Sequence, residues 1–405
     1  MPVSILEALD IIYEKTSVLN AELLPIELTL GRVMHEDSIA TFDLPRFKNS
    51  AMDGYAVKCC DAGTRIPSKS IIYAGDNPSI CLENHSAIKI MTGAPIPEGT
   101  EAVVPVENVT VHGQDISLPE NIQKDSNIRY AGEDVKAGNI YLHKGDKVTA
   151  YSIALLASQG VTHLKVIRKI KVAVFGTGDE LRPHFEKIEA HQLYNSNTPM
   201  FLARSLELGC EVQYINASGD NIVSLENCIK QALFADIILT SGGVSMGDKD
   251  FTKDAFLNLG MTLHFDKIDI KPGKPTAFGT LGKTMVINLA GNPLASMVNY
   301  ELFVRALIRK MSGQKAYYHA SLHTKIKEDF SLRAGKYTVR LGYFDGKTFT
   351  AFKKQLPGML SPLEKANAML LTVPKIESIK KEAHINILPI SWELTSSKKE
   401  NFFNT

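Results

Sequence analysis

Between Ala235 and Ser296 a buried-strand pattern, two glycine loops and a lysine-rich loop follow one another. That order belongs to an α/β sheet with an anion-binding edge. The run Asp236-Ile237-Ile238-Leu239-Thr240 has the short, continuous apolar character of a central parallel strand. Ser241-Gly242-Gly243-Val244-Ser245-Met246-Gly247-Asp248 ends it with glycines, which let backbone N–H groups approach a ligand closely. Lys271-Pro272-Gly273-Lys274-Pro275 and Gly291-Asn292-Pro293-Leu294-Ala295-Ser296 each follow another apolar strand, placing cations and a helix N-terminus near the same sheet edge. Phosphate or another oxyanion is the guest such an edge suits.

A chain of 405 residues exceeds one ordinary core, so several domains are expected. Lys plus Arg at 45 against Asp plus Glu at 44 gives no reason to expect nucleic acid or a membrane as partner, and any electropositive site must be local. No apolar run reaches membrane-spanning length. Five cysteines show neither CxxC spacing nor the even count of a disulfide framework, and are expected as free thiols in a reducing cytoplasm.

The text of the chain changes character several times. Residues 1–26 together with 148–170 read as a helical region: Ser4-Ile5-Leu6-Glu7 is a capping box before an amphipathic helix, and Thr149 can cap a second helix that Gly160 stops. Residues 27–147 form short β-rich runs separated by Gly, Pro, Asn and Asp turns, including one from Ala102 to Val111. Residues 171–318 alternate strand and helix, which predicts a central three-layer α/β domain with a mostly parallel sheet, closed by a helix from Leu294 to about Met311. Residues 319–395 return to β, with a hairpin across Asp345-Gly346, and 396–405 form a polar tail.

Each candidate constellation also has a plain structural reading. Gly176-Thr177-Gly178-Asp179-Glu180 lacks the third glycine of a dinucleotide fingerprint; its carboxylates suit a divalent cation or a ribose, and a tight turn explains it equally. Asp248 and Asp250 fit either Mg²⁺ binding or helix capping, whereas Asp236 at the start of a buried strand is structural. Lys271 and Lys274 flank Pro272-Gly273, so two ammonium groups project from a stiff segment, which favours an oxyanion over a solvated turn. Asn49 to Val57, Thr92-Gly93-Ala94-Pro95 and Gly132-Glu133-Asp134 read on their own as loops. Eleven histidines without HxxxH or HExxH spacing give no support to zinc catalysis, and no GxSxG elbow supports acyl transfer.

Taken together, Asn49 to Val57, Met91 to Gly99, Gly132 to Val135, Gly176 to Leu181, Ser241 to Gly247, Lys271 to Pro275 and Gly291-Asn292-Pro293 resemble the molybdopterin molybdenumtransferase (MoeA) family, which includes the gephyrin E domain. The resemblance implies a MogA-like α/β domain, an N-terminal β-rich domain with a helical linker region, and a C-terminal β-barrel-like domain. It implies Mg²⁺-dependent insertion of molybdate into adenylylated molybdopterin, releasing AMP and molybdenum cofactor. Asp53, Thr92, Asp134, Glu180, Lys271 and Lys274 match catalytic positions; Ser241, Gly242, Gly243, Ser245, Lys267, Gly291, Asn292, Pro293, Arg340 and Ser361 match substrate-binding positions; Glu180, Asp220 and Asp250 match metal ligands. A cytoplasmic homodimer is implied, with Asp53 and Thr92 serving the partner's site and the molybdopterin adenylyltransferase as a further partner.

The chain departs from the family at two loops. Leu289-Ala290-Gly291-Asn292-Pro293 has Ala290 where a proline is usual, removing one fixed φ angle and leaving a looser loop expected. Gln355-Leu356-Pro357-Gly358 replaces the usual Gln-Gly-Ser-Gly before Ser361. The competing functions are the molybdopterin adenylyltransferase reaction, on the shared α/β domain, and a non-catalytic scaffold of the gephyrin type. The N- and C-terminal β regions argue against the first, and the retained carboxylates against the second.

Overall fold

The computed structural model describes every residue except 77–79, 179, 217–220, 243–250, 333–334 and 392–405. The chain divides into two compact units. One contains Met1–Glu22, Gly31–His35 and the chain from Lys165 onward; the other contains Leu23–Leu30 and Glu36–Leu164.

The first unit is organised by a six-stranded sheet in the order Glu211–Tyr214, Lys171–Gly176, Ile237–Ser241, Thr284–Leu289, Pro275–Leu281, Thr262–Lys267. Its first four strands are mutually parallel and its last two pair antiparallel. The three inner parallel strands are apolar on both faces because helices cover both, whereas the edge strand Glu211–Tyr214 is largely exposed. Leu225, Ile229 and Phe256, from helices Ile222–Ala232 and Phe251–Asn258, bury one face with Phe175 and Ile238. On the other face Ile5, Ile12 and Phe201 join the chain segment from Leu294 to Met311.

The capping box at the start of the chain is complete. Glu7 N–H donates to Ser4 Oγ at 3.2 Å and Ser4 N–H to the Glu7 carboxylate at 2.7 Å, opening helix Ile5–Lys15. Ile5, Ala8 and Ile12 recur at helical spacing and are the residues buried.

The expected helix after Leu294 is not uniform. Regular turns at Pro293–Asn299 and Arg305–Met311 are separated by a π-helical turn, Tyr300–Val304. That turn carries Glu301, fully buried between Arg204 at 2.7 Å and Arg305 at 2.9 Å. Beside it His319 Nε2 lies 2.6 Å from the Leu302 carbonyl, and burial pushes its imidazole down to about 4.

The C-terminal region closes a five-stranded barrel in the order Leu322–Ile326, Thr348–Ala351, Thr338–Phe344, Ala368–Thr372, His384–Pro389. Its inward residues, among them Ile326, Phe349, Leu370 and Ile387, form its core. The expected hairpin across Asp345-Gly346 joins two of these strands, and Asp345 Oδ1 accepts from the Lys347 and Thr348 amides at 2.9 and 2.8 Å.

The second unit holds a mixed six-stranded sheet: Ala102–Pro105, Gly54–Val57, Ala87–Ile90, Arg65–Ile72, Asp115–Ser117, Thr110–His112. The run expected as one strand from Ala102 to Val111 is broken by a 3₁₀ turn, Val106–Asn108. Helix Ala150–Ser158 starts at Thr149, whose hydroxyl accepts from the Ser152 amide at 3.1 Å.

Candidate functional site

The glycine and lysine loops of the first unit converge at the C-terminal end of the parallel strands. Gly242 adopts φ 95°, and a Cβ there would stand 2.4 Å from the Thr177 carbonyl oxygen, so only glycine allows the turn after Ser241 to close. Gly291 lies beside it under no such constraint, since a Cβ there would make only an ordinary contact, 3.7 Å from Gly242 Cα. Asn197 holds these loops together. Its Nδ2 donates to Ser241 Oγ and to the Gly291 carbonyl, both at 2.7 Å.

The lysine loop is fixed by its backbone. Lys271 N–H donates to the Tyr337 carbonyl at 2.8 Å and the Lys271 carbonyl accepts from Val339 N–H at 2.9 Å, stitching the loop to barrel strand Thr338–Phe344. Fully buried Asn299 donates to the Gly273 carbonyl at 2.7 Å. Gly273 sits at φ 109° with Asn299 directly against it.

These constraints frame a cavity of about 530 Å³ lined by Lys271, Gly273, Lys274, Ala290, Asn292 and Lys336, with Pro272, Pro275 and Pro357 among its stiff walls. Three ammonium groups and the Asn292 amide are its polar equipment. Asn292 stands at the N-cap of helix Pro293–Asn299 without making a side-chain cap bond. Leu294 N–H donates to the Pro357 carbonyl at 2.9 Å, tying the Gly291 loop to the altered Leu356-Pro357 loop. Ala290 is therefore accompanied by a loop anchored through Asn197 and Pro357 rather than through proline at its own position.

Arg340 and Ser361 are near in sequence to these walls but do not line the cavity. The Arg340 guanidinium lies 5.5 Å from the Phe330 ring and burial lowers its basicity. Ser361 is exposed at the start of the short helix Ser361–Lys365. Lys267 ends a sheet strand, and its carbonyl accepts from Val3 N–H at 3.0 Å. Glu180 is exposed, with its carboxylate folded over Gly178. Gly243, Ser245, Asp220 and Asp250 lie outside the described residues. Asp236 is structural: it holds the Arg168 guanidinium through two bonds, at 2.7 and 2.6 Å, and accepts from the Lys171 amide.

In the second unit two sequence motifs meet. Both the amide and the hydroxyl of Thr92 donate to Asp53 Oδ1 at 2.7 Å, and these bonds hold the Asp53 carboxyl below its ordinary range. The loops are clamped further, Gly93 N–H donating to the Ser50 carbonyl at 2.8 Å and Ser50 N–H to Ala94 at 3.0 Å. Gly54 is set by strand packing, since a Cβ there would stand 2.4 Å from the Val104 carbonyl oxygen. Asp134 lies on a separate exposed loop, where its amide donates to the Leu44 carbonyl at 3.0 Å and Asp43 packs against Gly132.

Sequence reading missed Lys336, Asn197 and Asn299. Lys336 precedes a strand as many surface lysines do. The two asparagines act through buried tertiary hydrogen bonds, for which the local pattern carries no signal.

A cation-lined cavity over the C-terminal edge of a parallel sheet, walled on one side by a β barrel, is where α/β proteins of this class take their ligands. Residues 3–160 match the model for the MoeA N-terminal region, domains I and II, and residues 173–310 match the model for a probable molybdopterin-binding domain. A curated relative from Haemophilus influenzae, named molybdopterin molybdenumtransferase, is 40% identical over 300 residues, covering 73% of this chain and 74% of its own. One of the same name from Staphylococcus epidermidis is 33% identical over 338 residues, covering 82% and 81%. The crystal structure of a molybdopterin biosynthesis MoeA protein from Pyrococcus horikoshii superimposes with a TM-score of 0.84 at 26% identity, covering 96% of this chain and 100% of its own. The chain belongs to the molybdopterin molybdenumtransferase family.

Proposed function

We propose that this protein is a transferase of molybdenum cofactor biosynthesis that inserts molybdenum from molybdate into adenylylated molybdopterin, with release of AMP. The observation that carries the reading is the cavity where Lys271, Lys274, Lys336 and Asn292 converge, in a chain 40% identical to a curated molybdopterin molybdenumtransferase. Cleaving a phosphoanhydride and handling a tetrahedral metalate both ask for fixed positive charge in a confined space. Lys271 and Lys274 hold oxyanion charge, the backbone bonds to Tyr337, Val339 and Asn299 keep the loop between them in place, and Asn292 supplies a neutral hydrogen-bonding group.

Mg²⁺ is the metal this reading requires. Glu180 offers an exposed carboxylate at the end of a parallel strand, the hard oxygen donor that Mg²⁺ takes, and Asp220 and Asp250 would complete the set. Among the described residues no group of three or more His, Cys, Asp or Glu side chains gathers to hold a metal. When bound, the ion supplies neutralisation of phosphate charge.

We place the protein in the cytoplasm as a homodimer in which Asp53 and Thr92 of one subunit serve the site of the other. No helix among the described residues is long and apolar enough to cross a membrane.

The test is AMP release from adenylylated molybdopterin with Mg²⁺, in the presence and absence of molybdate. Molybdate-dependent release that chelation of Mg²⁺ abolishes is the expected result; binding of the substrate without release would refute the transferase. Mixing Asp53→Ala with Lys271→Ala subunits tests sharing. If half the dimers are mixed and each of these has one intact site, about a quarter of the activity returns; no recovery would refute the shared site.

A further inference from the structure

Away from the cavity, the outer face of the C-terminal barrel carries a pair of histidines that the transferase reading leaves unused. His323 and His384 are exposed on adjacent antiparallel strands, where His323 pairs in register with Asn386 and His384 with Lys325. Their rings are within 9° of parallel with centroids 5.0 Å apart, and His323 Nε2 lies 3.0 Å from His384 Nδ1. The other nitrogen of His323, Nδ1, is 3.1 Å from Asn386 Oδ1. A carboxamide oxygen only accepts, so Nδ1 of His323 carries the proton and Nε2 presents a lone pair.

We propose that His323 and His384 form a chelating site for a divalent transition-metal ion, Cu²⁺ ahead of Ni²⁺ and Zn²⁺. A ligand nitrogen sits about 2.1 Å from such an ion. Two nitrogens 3.0 Å apart leave room for one such ion beside the line that joins them, bound to both at an angle of about 90°, once each exposed ring turns its lone pair off the hydrogen-bond axis toward it. Cu²⁺ stands above Ni²⁺ and Zn²⁺ in the general affinity order for nitrogen donors, which sets the order of preference. The ion replaces the proton now shared between the rings. That proton passes through solvent to His384 Nε2, both imidazoles stay neutral, and no oxidation or reduction is involved.

The surroundings favour the site. Asn386 fixes the tautomer that a ligating imidazole requires, as outer-sphere partners of metal-binding histidines do. Lys325, the nearest cation along the strand pair, has its ammonium 3.6 Å from the Glu382 carboxylate, which offsets its charge. Water completes the coordination, since no third His, Cys, Asp or Glu side chain joins the pair among the described residues. A bare hydrogen bond between exposed neutral imidazoles, by contrast, contributes at most about 1 kcal/mol and needs no tautomer lock.

The full-length protein is titrated with CuCl₂ at pH 7.5 in a non-coordinating buffer, by calorimetry and by electron paramagnetic resonance. One ion per chain with nitrogen hyperfine structure is expected. His323→Asn and His384→Asn should each weaken it by about tenfold or more, while Asn386→Ala weakens it less and the exposed His112→Asn not at all. Circular dichroism confirms that each variant is folded. Absence of stoichiometric binding, or binding equal in wild type, His323→Asn and His384→Asn, overturns the proposal.

Discussion

Replacing Gly273 by alanine tests how the lysine loop is held. At φ 109° an L-residue is strained by about 1 to 2 kcal/mol. The added Cβ would also stand 2.4 Å from Asn299 Nδ2 and 2.8 Å from its Cγ and Oδ1. Asn299 is fully buried and cannot swing into solvent, so it must give up its bonds to the Gly273 carbonyl and Thr276 hydroxyl. Each buried polar group left without a partner costs about 1 to 3 kcal/mol. The Thr276 hydroxyl still donates to the Gly273 and Pro275 carbonyls, so the Asn299 amide is the group left without a partner and the destabilisation comes to about 2 to 5 kcal/mol. Gly282 supplies the control, with φ 61° and nothing within 4 Å of an added Cβ; Gly282→Ala should incur only the strain. The assay is urea unfolding of the full chain followed by far-UV circular dichroism. The two variants are compared by midpoint, because a chain of several domains need not unfold in one step. Adding Asn299→Gly to Gly273→Ala removes the clashing amide and should recover part of the loss. If Gly273→Ala moves the midpoint no further than Gly282→Ala, the Asn299 contact does not hold the loop.

Three further outcomes follow from the same structure. Lys336→Ala should raise KM for the anionic substrate by about two- to fivefold with kcat little changed, as expected of an exposed charge, and the difference from wild type should shrink with added salt; an unchanged KM would remove Lys336 from the site. Burial holds His319 at about 4 against an ordinary 6.5, so the unfolded chain binds the proton more readily in between. Its contribution is complete above pH 6.5 and falls as pH drops toward about 4, with a slope approaching about 1.4 kcal/mol per pH unit, and His319→Gln should flatten that part of the stability profile. Thr92→Val removes the hydroxyl bond that helps depress the Asp53 carboxyl, so the Asp53 titration should move upward by NMR; an unmoved titration would show the amide alone sets it.

Much of the architecture was legible because it rests on periodicity. The Ser4-Glu7 capping box, the Thr149 cap, the alternating strands of the α/β domain and the hairpin at Asp345-Gly346 are all local patterns, and all appear in the structure. The π turn at Tyr300–Val304 was not legible, since its residues keep the apolar spacing of an ordinary helix, and Glu301, besides its i,i+4 pair with Arg305, is engaged by Arg204 from a distant part of the chain. The break at Val106–Asn108 was equally hidden, because its residues carry no Gly or Pro beyond the preceding Pro105. In the site, the stiffness of Lys271 to Lys274 could be anticipated from Pro272 and Gly273. Its anchorage could not, because that depends on Asn299 and on the main chain of Tyr337 and Val339, which are distant in sequence. Asp53 with Thr92 shows the same division: each motif alone reads as a turn, and only the fold sets the hydroxyl against the carboxylate.

The stitching of the lysine loop to the barrel through main-chain atoms bears on how such a site can change over generations. Peptide groups are the same whatever side chain they carry, so the loop's course at Lys271 does not depend on lysine being there. Mutation can alter charge, length or hydration of the groups facing the cavity without first dismantling their support. The fixed points are instead Gly273 and Asn299, where one atom more on the glycine meets a buried amide. Selection on what the cavity holds would thus find its variation at the lysines and its barrier at the glycine between them.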